Sequence, residues 1–274
     1  EIAQCLVGSE MCIRDRIKYI ASDLDGTLLH NGAQQLPEEI FDLIRALKSR
    51  GIHFIAASGR QYYNMYRMFE PVQNDISYIA ENGSLCIHNH EIISRGVIDR
   101  DLGLRIIEAS RQYDSCNCLV SCEDHCYTDS KDEHFISHIL NTIKYDMVVV
   151  DDLKQIQKPF LKIAMCDFHN PQKLLPFFKD QFRSEIKVVT SGNIWVDFIA
   201  PNANKGLALS NLLNHFGLSP ADGIAFGDQY NDLEMLQLAG TGYAMKNAAS
   251  GVADHADKVT DSVEQIMREI LETE

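Results

Sequence analysis

The sequence predicts a doubly wound α/β fold: a parallel-sheet, Rossmann-like core with a second α/β module inserted into it. Two patterns point there. Short apolar runs of strand length alternate with segments whose apolar residues recur at i, i+3, i+4 and i+7, an order that right-handed crossovers turn into a parallel sheet. Several runs also stop abruptly at Asp, Ser or Glu-Asn, and ligands bind at the carboxyl ends of strands in open α/β sheets.

Ile17 to Ser22 is a short apolar run ending at Asp23, and it reads as a buried parallel strand. Pro37 then opens a helical pattern in which Ile40, Leu43, Ile44 and Leu47 share a face, with Gly51 placed to stop it. Ile52 to Ala57 is a second strand, ending at Ser58-Gly59-Arg60, and a helix follows through Met68. Ile76 to Ala80 is a third strand, ending at Glu81-Asn82-Gly83.

The chain then changes character. Strands are expected at Leu85 to His88, Ile92 to Val97, Leu119 to Cys122 and Phe160 to Cys166. Helical patterns fall at Leu102 to Tyr113, Glu133 to Ile143 and Gln172 to Phe182. None of these strands ends in the polar clusters seen before. The first pattern resumes with Ile194 to Ile199, a helix after Asn204-Lys205-Gly206, and Gly223 to Gly227 ending at Asp228. Gly242 to Met245 and Asp257 to Thr260 are short strand candidates, and a helix carrying Val263, Ile266, Met267, Ile270 and Leu271 on one face comes last. The expected division is a core of residues 17–83 and 187–274 and an inserted module of residues 84–186.

Residues 1–16 fit no part of this scheme. They are too short in apolar run and too acidic for a signal peptide, and Met11-Cys12-Ile13-Arg14-Asp15 resembles translated sequencing-adapter DNA. They are expected to be foreign to the fold.

The charge balance is 25 Lys and Arg against 39 Asp and Glu, or −14, which argues against a nucleic-acid partner because no broad basic footprint exists. No apolar run approaches the roughly 18 residues of a membrane span. With no export signal, a cytoplasmic location and reduced thiols are expected for the eight cysteines. Cys116, Cys118, Cys122 and Cys126, with His125, lie close in sequence, but they lack paired Cys-x-x-Cys knuckles. They read better as small core residues on hairpin strands around Glu123-Asp124-His125 than as a zinc site.

Four polar clusters sit at predicted strand ends or a helix start: Asp23/Asp25/Thr27, Ser58/Arg60, Lys205 and Asp228/Asn231/Asp232. Strand topology brings them to one crevice. Carboxylates so gathered repel one another unless a cation is present, and hard oxygen ligands suit Mg2+. A metal, Lys205 and the Ser58 hydroxyl together describe a phosphate site. Each residue also has a plainer reading. Asp-x-Asp-Gly-Thr alone makes a surface turn. Lys205 alone is a solvated lysine at a helix start, Asp232 favours a helix dipole, and Arg60 pairs with a carboxylate.

The clusters in order resemble the four motifs of the haloacid dehalogenase-like hydrolase superfamily, and more narrowly its Cof-type phosphatases with a large α/β cap. They are Asp23-Leu24-Asp25-Gly26-Thr27, Ser58-Gly59-Arg60, Asn204-Lys205-Gly206 and Gly227-Asp228-Gln229-Tyr230-Asn231-Asp232. Glu81-Asn82-Gly83 and Met245-Lys246-Asn247-Ala248 also match, and the likeness spans residues 17–274. The resemblance implies an inserted cap that closes over the site. It implies that Asp23 is the nucleophile, Asp25 the acid and base, and Lys205 a charge-stabilising group. Thr27, Ser58, Gly59, Arg60 and Asn82 would contact phosphate, substrate or the adjacent loops. Mg2+ would be held by Asp23, the backbone carbonyl of Asp25, and Asp228, with Asn231 or Asp232 direct or through water. Small phosphorylated metabolites are the implied substrates, namely sugar phosphates, nucleotides or phosphorylated cofactors. A phosphosugar mutase and a non-catalytic phosphate-binding module remain as alternatives.

Overall fold

A computed structural model describes residues 17–272 except Asn31, Asp114, Asn170, Gly192 and Asn193. The leader set aside above lies outside the described residues. In chain order the strands are β1 (Tyr19–Asp23), β2 (His53–Ala57), β3 (Ser77–Ala80), β4 (Leu85–His88), β5 (Glu91–Arg95), β6 (Asn117–Ser121), β7 (Cys126–Thr128), β8 (Met147–Val149), β9 (Lys162–Cys166), β10 (Lys187–Ser191), β11 (Trp195–Ile199), β12 (Gly223–Gly227), β13 (Thr241–Met245) and β14 (Lys258–Thr260).

The chain forms two compact units. One comprises the described residues up to Gly59, Met65–Ser94 and the described residues from Asn204 onward; the other comprises Arg60–Asn64 and Arg95–Ala203. The first is built on an eight-stranded sheet in the order β14-β13-β12-β1-β2-β3-β4-β5. Its central strand β1 is buried along its whole length, as a continuously apolar run between two parallel neighbours should be.

Register determines which loops meet. Asp23 pairs with Ala57 of β2, and Ser22 pairs with Phe226 of β12. The chain therefore leaves β1, β2 and β12 at one level, delivering Asp23, Ser58 and Asp228 side by side. Helix Glu38–Ser49 connects β1 to β2 and buries Ile40, Phe41, Leu43, Ile44 and Leu47. Acidic residues in its first turn and Lys48 in its last complement the helix dipole. Helix Lys205–Phe216 lays Leu209, Leu212 and Leu213 onto Tyr19, Ile55 and Ile79. Truncating one such leucine to alanine costs roughly 2–5 kcal/mol.

The second unit has a six-stranded sheet ordered β10-β11-β9-β6-β7-β8. One face packs on helices Arg100–Ser110 and Pro171–Phe182 through Ile106, Leu174 and Phe178. The other buries Leu119, Ala164 and Cys166 under Phe135 and Ile139. The hairpin expected around Glu123-Asp124-His125 is present as β6 and β7, with Ser121 opposite Cys126. Cys118 and Cys122 lie in the first of these two cores and Cys126 in the second, so the sheet separates them. Burial pushes the Cys116 and Cys122 thiols up to about 12, the reverse of what a thiolate metal ligand needs.

The boundaries differ from those expected. β4 returns antiparallel along β3, with Ala80 opposite Leu85, so the first unit runs on to Ser94 instead of residue 83. Ile194 to Ile199, expected in the core sheet, is β11, which pairs with β9 and β10. The second unit therefore ends at Ala203. The physical reason is that a short two-sided apolar run fits either sheet equally, and only its hydrogen-bonding partner decides. β8 and β10 were not expected as strands, and the helix at Glu133 changes to a wider π turn from His138.

Candidate active site

Asp23 is the last residue of β1, and its backbone stops just where β2 gives way to Ser58. The chain then folds back on itself. The amides of Thr27, Leu28 and Leu29 all reach the Leu24 carbonyl, and the Gly26 amide reaches the Leu29 carbonyl. Gly26 has φ +89°, and a Cβ there would fall 2.2 Å from Asp228 Oδ2. Only glycine lets this turn press so close to the neighbouring loop. The Asp-x-Asp-Gly-Thr run is thus a turn, but one seated in the carboxylate cluster rather than on an open surface.

Lys205 opens its helix with Asn204 as N-cap, whose side chain accepts from the Leu207 amide. Its side chain is fully buried, so the solvated-lysine reading does not apply. Lys205 Nζ donates to Asp23 Oδ1 and to Asp232 Oδ1, each at 2.6 Å. Asp232 Oδ2 accepts from the backbone amides of Asp228 and Gln229, both at 3.0 Å. Both oxygens of Asp232 are therefore engaged in holding Lys205 and shaping the loop after β12. The same side chain caps the Gln229 turn, so the helix-start reading of Asp232 holds together with its pairing to Lys205.

Burial and then the Asp232 charge push the Asp23 carboxyl well above its ordinary value, against the pull of Lys205. Burial and Asp232 likewise raise Asp228. Burial works against the charge on Lys205, but Asp23 and Asp232 outweigh it and hold the ammonium above its usual value.

Asp23, Asp228 and Asp232 offer carboxylate oxygens within 4.8 Å of one another, the one such group among the described residues. Three carboxylates stand against one ammonium. Asp228 Oδ1 and Thr27 Oγ1 are buried and have no hydrogen-bond partner among the described residues. A buried acceptor without a donor is costly, and an all-oxygen set with excess negative charge fits a hard divalent cation.

The remaining predicted residues fall into place unevenly. Asp25 is exposed at the turn beside the cluster. Ser58 is buried, and its amide donates to the Ile79 carbonyl while its carbonyl accepts from the Asn82 amide. Gly59 lies against Asn82; a Cβ there would come 2.9 Å from Asn82 Oδ1. Asn82 adopts a left-handed φ of 58° and accepts from Asn231 Nδ2 at 2.9 Å. Asn231 thus joins the loops after β3 and β12. Arg60 belongs to the second unit, where its guanidinium donates to Asn64 Oδ1 at 3.2 Å.

Two contacts were missed by sequence reasoning. Gln229 Nε2 donates to Asp228 Oδ2 at 3.3 Å, and Asn247 Nδ2 donates to the Gly26 carbonyl at 2.9 Å. The Met245-Lys246-Asn247-Ala248 match was the available signal for the second, but it carries no role by itself.

A family model described as haloacid dehalogenase-like hydrolase matches residues 20–268. The chain is 26% identical over 265 residues to the 5-amino-6-(5-phospho-D-ribitylamino)uracil phosphatase YbjI of Escherichia coli, covering 92% of this chain and 97% of that protein. It is 27% identical over 257 residues to the Bacillus subtilis phosphatase YitU, of the same described activity, covering 90% and 93%. Among solved structures, a haloacid dehalogenase-like hydrolase from Bacteroides thetaiotaomicron superposes with a TM-score of 0.82 at 25% identity, covering 93% of this chain and 99% of that one.

Proposed function

The chain belongs to the haloacid dehalogenase-like hydrolase family, and from that premise we propose that it hydrolyses phosphate monoesters of small metabolites through an aspartyl-phosphate on Asp23. The observation that carries this reading is the buried Asp23 carboxylate, held by Lys205 at 2.6 Å at the end of the central strand.

In the proposed reaction an Asp23 oxygen attacks phosphorus, and the bond to the ester oxygen breaks. Asp25 gives its proton to that oxygen, and the alcohol departs. Water then attacks the aspartyl-phosphate and passes a proton to the Asp25 carboxylate. Cleavage of the phosphorus–Asp23 bond releases phosphate and restores both residues. Asp25 suits proton exchange because it is exposed, whereas Asp23 is buried and fixed. Lys205 favours the ionised form of Asp23 that attack requires. In this reading the buried Thr27 hydroxyl and Ser58 would donate to phosphoryl oxygens.

Asp23, Asp228 and the Asp25 backbone carbonyl would hold Mg2+. When bound, it supplies positive charge that keeps the two carboxylates ionised and offsets charge on the phosphoryl oxygens. Asp232 serves in this reading by orienting Lys205 and the Asp228 backbone.

The names of two relatives make 5-amino-6-(5-phospho-D-ribitylamino)uracil the first compound to test, beside sugar phosphates and nucleotides. The experiment measures free phosphate released from this panel with and without Mg2+. Wild-type turnover that disappears in Asp23→Asn supports the reading. Unchanged release by Asp23→Asn would defeat the nucleophile assignment, and isomerised substrate without free phosphate would indicate a mutase.

A further inference from the structure

Three loops follow the adjacent strands β13, β12 and β1, and one segment ties them together. The Ala249 amide donates to the Asp228 carbonyl at 2.8 Å. Tyr230 Oη donates to the Ser250 carbonyl at 3.0 Å. These bonds fix the segment after β13 to its neighbour. Asn247 then reaches past β12, a span of about 10 Å at ordinary strand spacing, to the Gly26 carbonyl.

That carbonyl belongs to the peptide between Gly26 and Thr27. The amide of the same peptide donates to the Leu24 carbonyl at 3.2 Å, so Asn247 completes its restraint at the second end. Asp25 precedes this peptide and Thr27 follows it. Gly26 imposes no steric preference of its own on φ. Asn247 thus adds a bond from a neighbouring loop to the turn's own backbone bonds and its contact with Asp228.

We propose that Asn247 is a positioning residue: its amide fixes the Gly26–Thr27 peptide and thereby sets where Asp25 stands for proton transfer. This rests on the phosphatase reading above and adds a residue to which that reading gives no part. General acid–base groups supply about 10²–10⁴-fold and depend on sub-ångström placement. A poor alcohol leaving group needs the proton from Asp25 far more than p-nitrophenolate does, so the two kinds of ester report on its placement.

The test measures kcat and KM for p-nitrophenyl phosphate and ribose 5-phosphate in wild type, Asn247→Ala and Asn247→Asp. It repeats Asn247→Ala in an Asp25→Asn background and records thermal midpoints. Both Asn247 variants should lose about 10–100-fold in kcat on ribose 5-phosphate, with KM within about 3-fold, as expected for a displaced acid. The loss on p-nitrophenyl phosphate should be several-fold smaller, and Asn247→Ala should add nothing once Asp25 is gone. Asn247→Asp keeps the shape but offers no donor, so it should resemble the alanine variant. Equal losses on the two esters, a full additive loss in the Asp25→Asn background, or wild-type rates would each overturn the proposal alone. A wild-type chain that releases phosphate from neither of these esters nor from any compound of the panel above would overturn the phosphatase reading and this proposal together.

Discussion

The Lys205 ammonium donates to Asp232 Oδ1 at 2.6 Å with neither side chain exposed to solvent. Such a pair contributes little net stability, because desolvating two charges offsets their attraction. Breaking it is another matter. Lys205→Met should destabilise the protein by about 3–5 kcal/mol at neutral pH, since Asp23 and Asp232 are then buried without a counter-charge. The loss should shrink as pH falls and Asp23, whose burial already favours its neutral form, takes up a proton. Urea denaturation at pH 7 and at pH 5 checks both statements.

The carboxylate cluster makes a prediction about metal removal. Asp228 is raised by burial and by Asp232, which means its charge is unwelcome in the metal-free state. Asp228→Asn should therefore make the metal-free protein more stable than wild type. Wild type should gain about 2.7 kcal/mol when Mg2+ reaches 100 times its dissociation constant, and the variant should gain almost nothing. Thermal melts with EDTA and with Mg2+ read this out; a melting temperature raised equally by Mg2+ in both proteins would exclude Asp228 as a ligand.

Gly26→Ala tests the turn. A methyl group at φ +89° would meet Asp228 Oδ2 at 2.2 Å, combining backbone strain with a clash. A stability loss of about 1–3 kcal/mol is expected, because the native conformation is one that alanine resists. Magnesium binding should weaken too, since relief of the clash must move Asp228 or the turn. Calorimetric titration with Mg2+ and a melting curve measure the two effects.

A pH effect arises on the opposite end of the sheet. His53 stacks on Phe216 at 4.3 Å, and His88 meets the same ring edge-on at 4.8 Å. Burial lowers His53; burial, then His215 and His53, lower His88 against the opposing charge of Glu91. Each folded-state value lies below the ordinary 6.5, so the unfolded chain binds protons first as pH falls. Stability is complete above that value, declines as pH drops through it, and levels off below the folded-state values. Melting temperature against pH should show this decline, and His88→Gln should flatten it.

Much of the candidate site was legible in the primary structure because its polar residues are fixed at strand ends. Asp23, Ser58 and Asp228 each follow an apolar run, and parallel pairing puts such ends at one level. Lys205 was legible as a member of the set, but its burial was not. Asp232 shows the limit more sharply. Its position suggests either a helix-dipole residue or a metal ligand, and only the tertiary structure shows both its oxygens taken by Lys205 and two backbone amides.

The sequence by itself determined the alternation of strands and helices, the polar residues that end the strands, and the family to which they point, because these depend on local periodicity and residue type. Tertiary structure alone decided which sheet each ambiguous apolar run joins, so that β4 and β5 close one sheet and β10 and β11 the other. It alone placed Asn247 on the Gly26 carbonyl and Asp232 beneath Lys205. Those are contacts between segments far apart in the chain, and neither a residue's own side chain nor that of its neighbours encodes which distant partner will complete its hydrogen bonds.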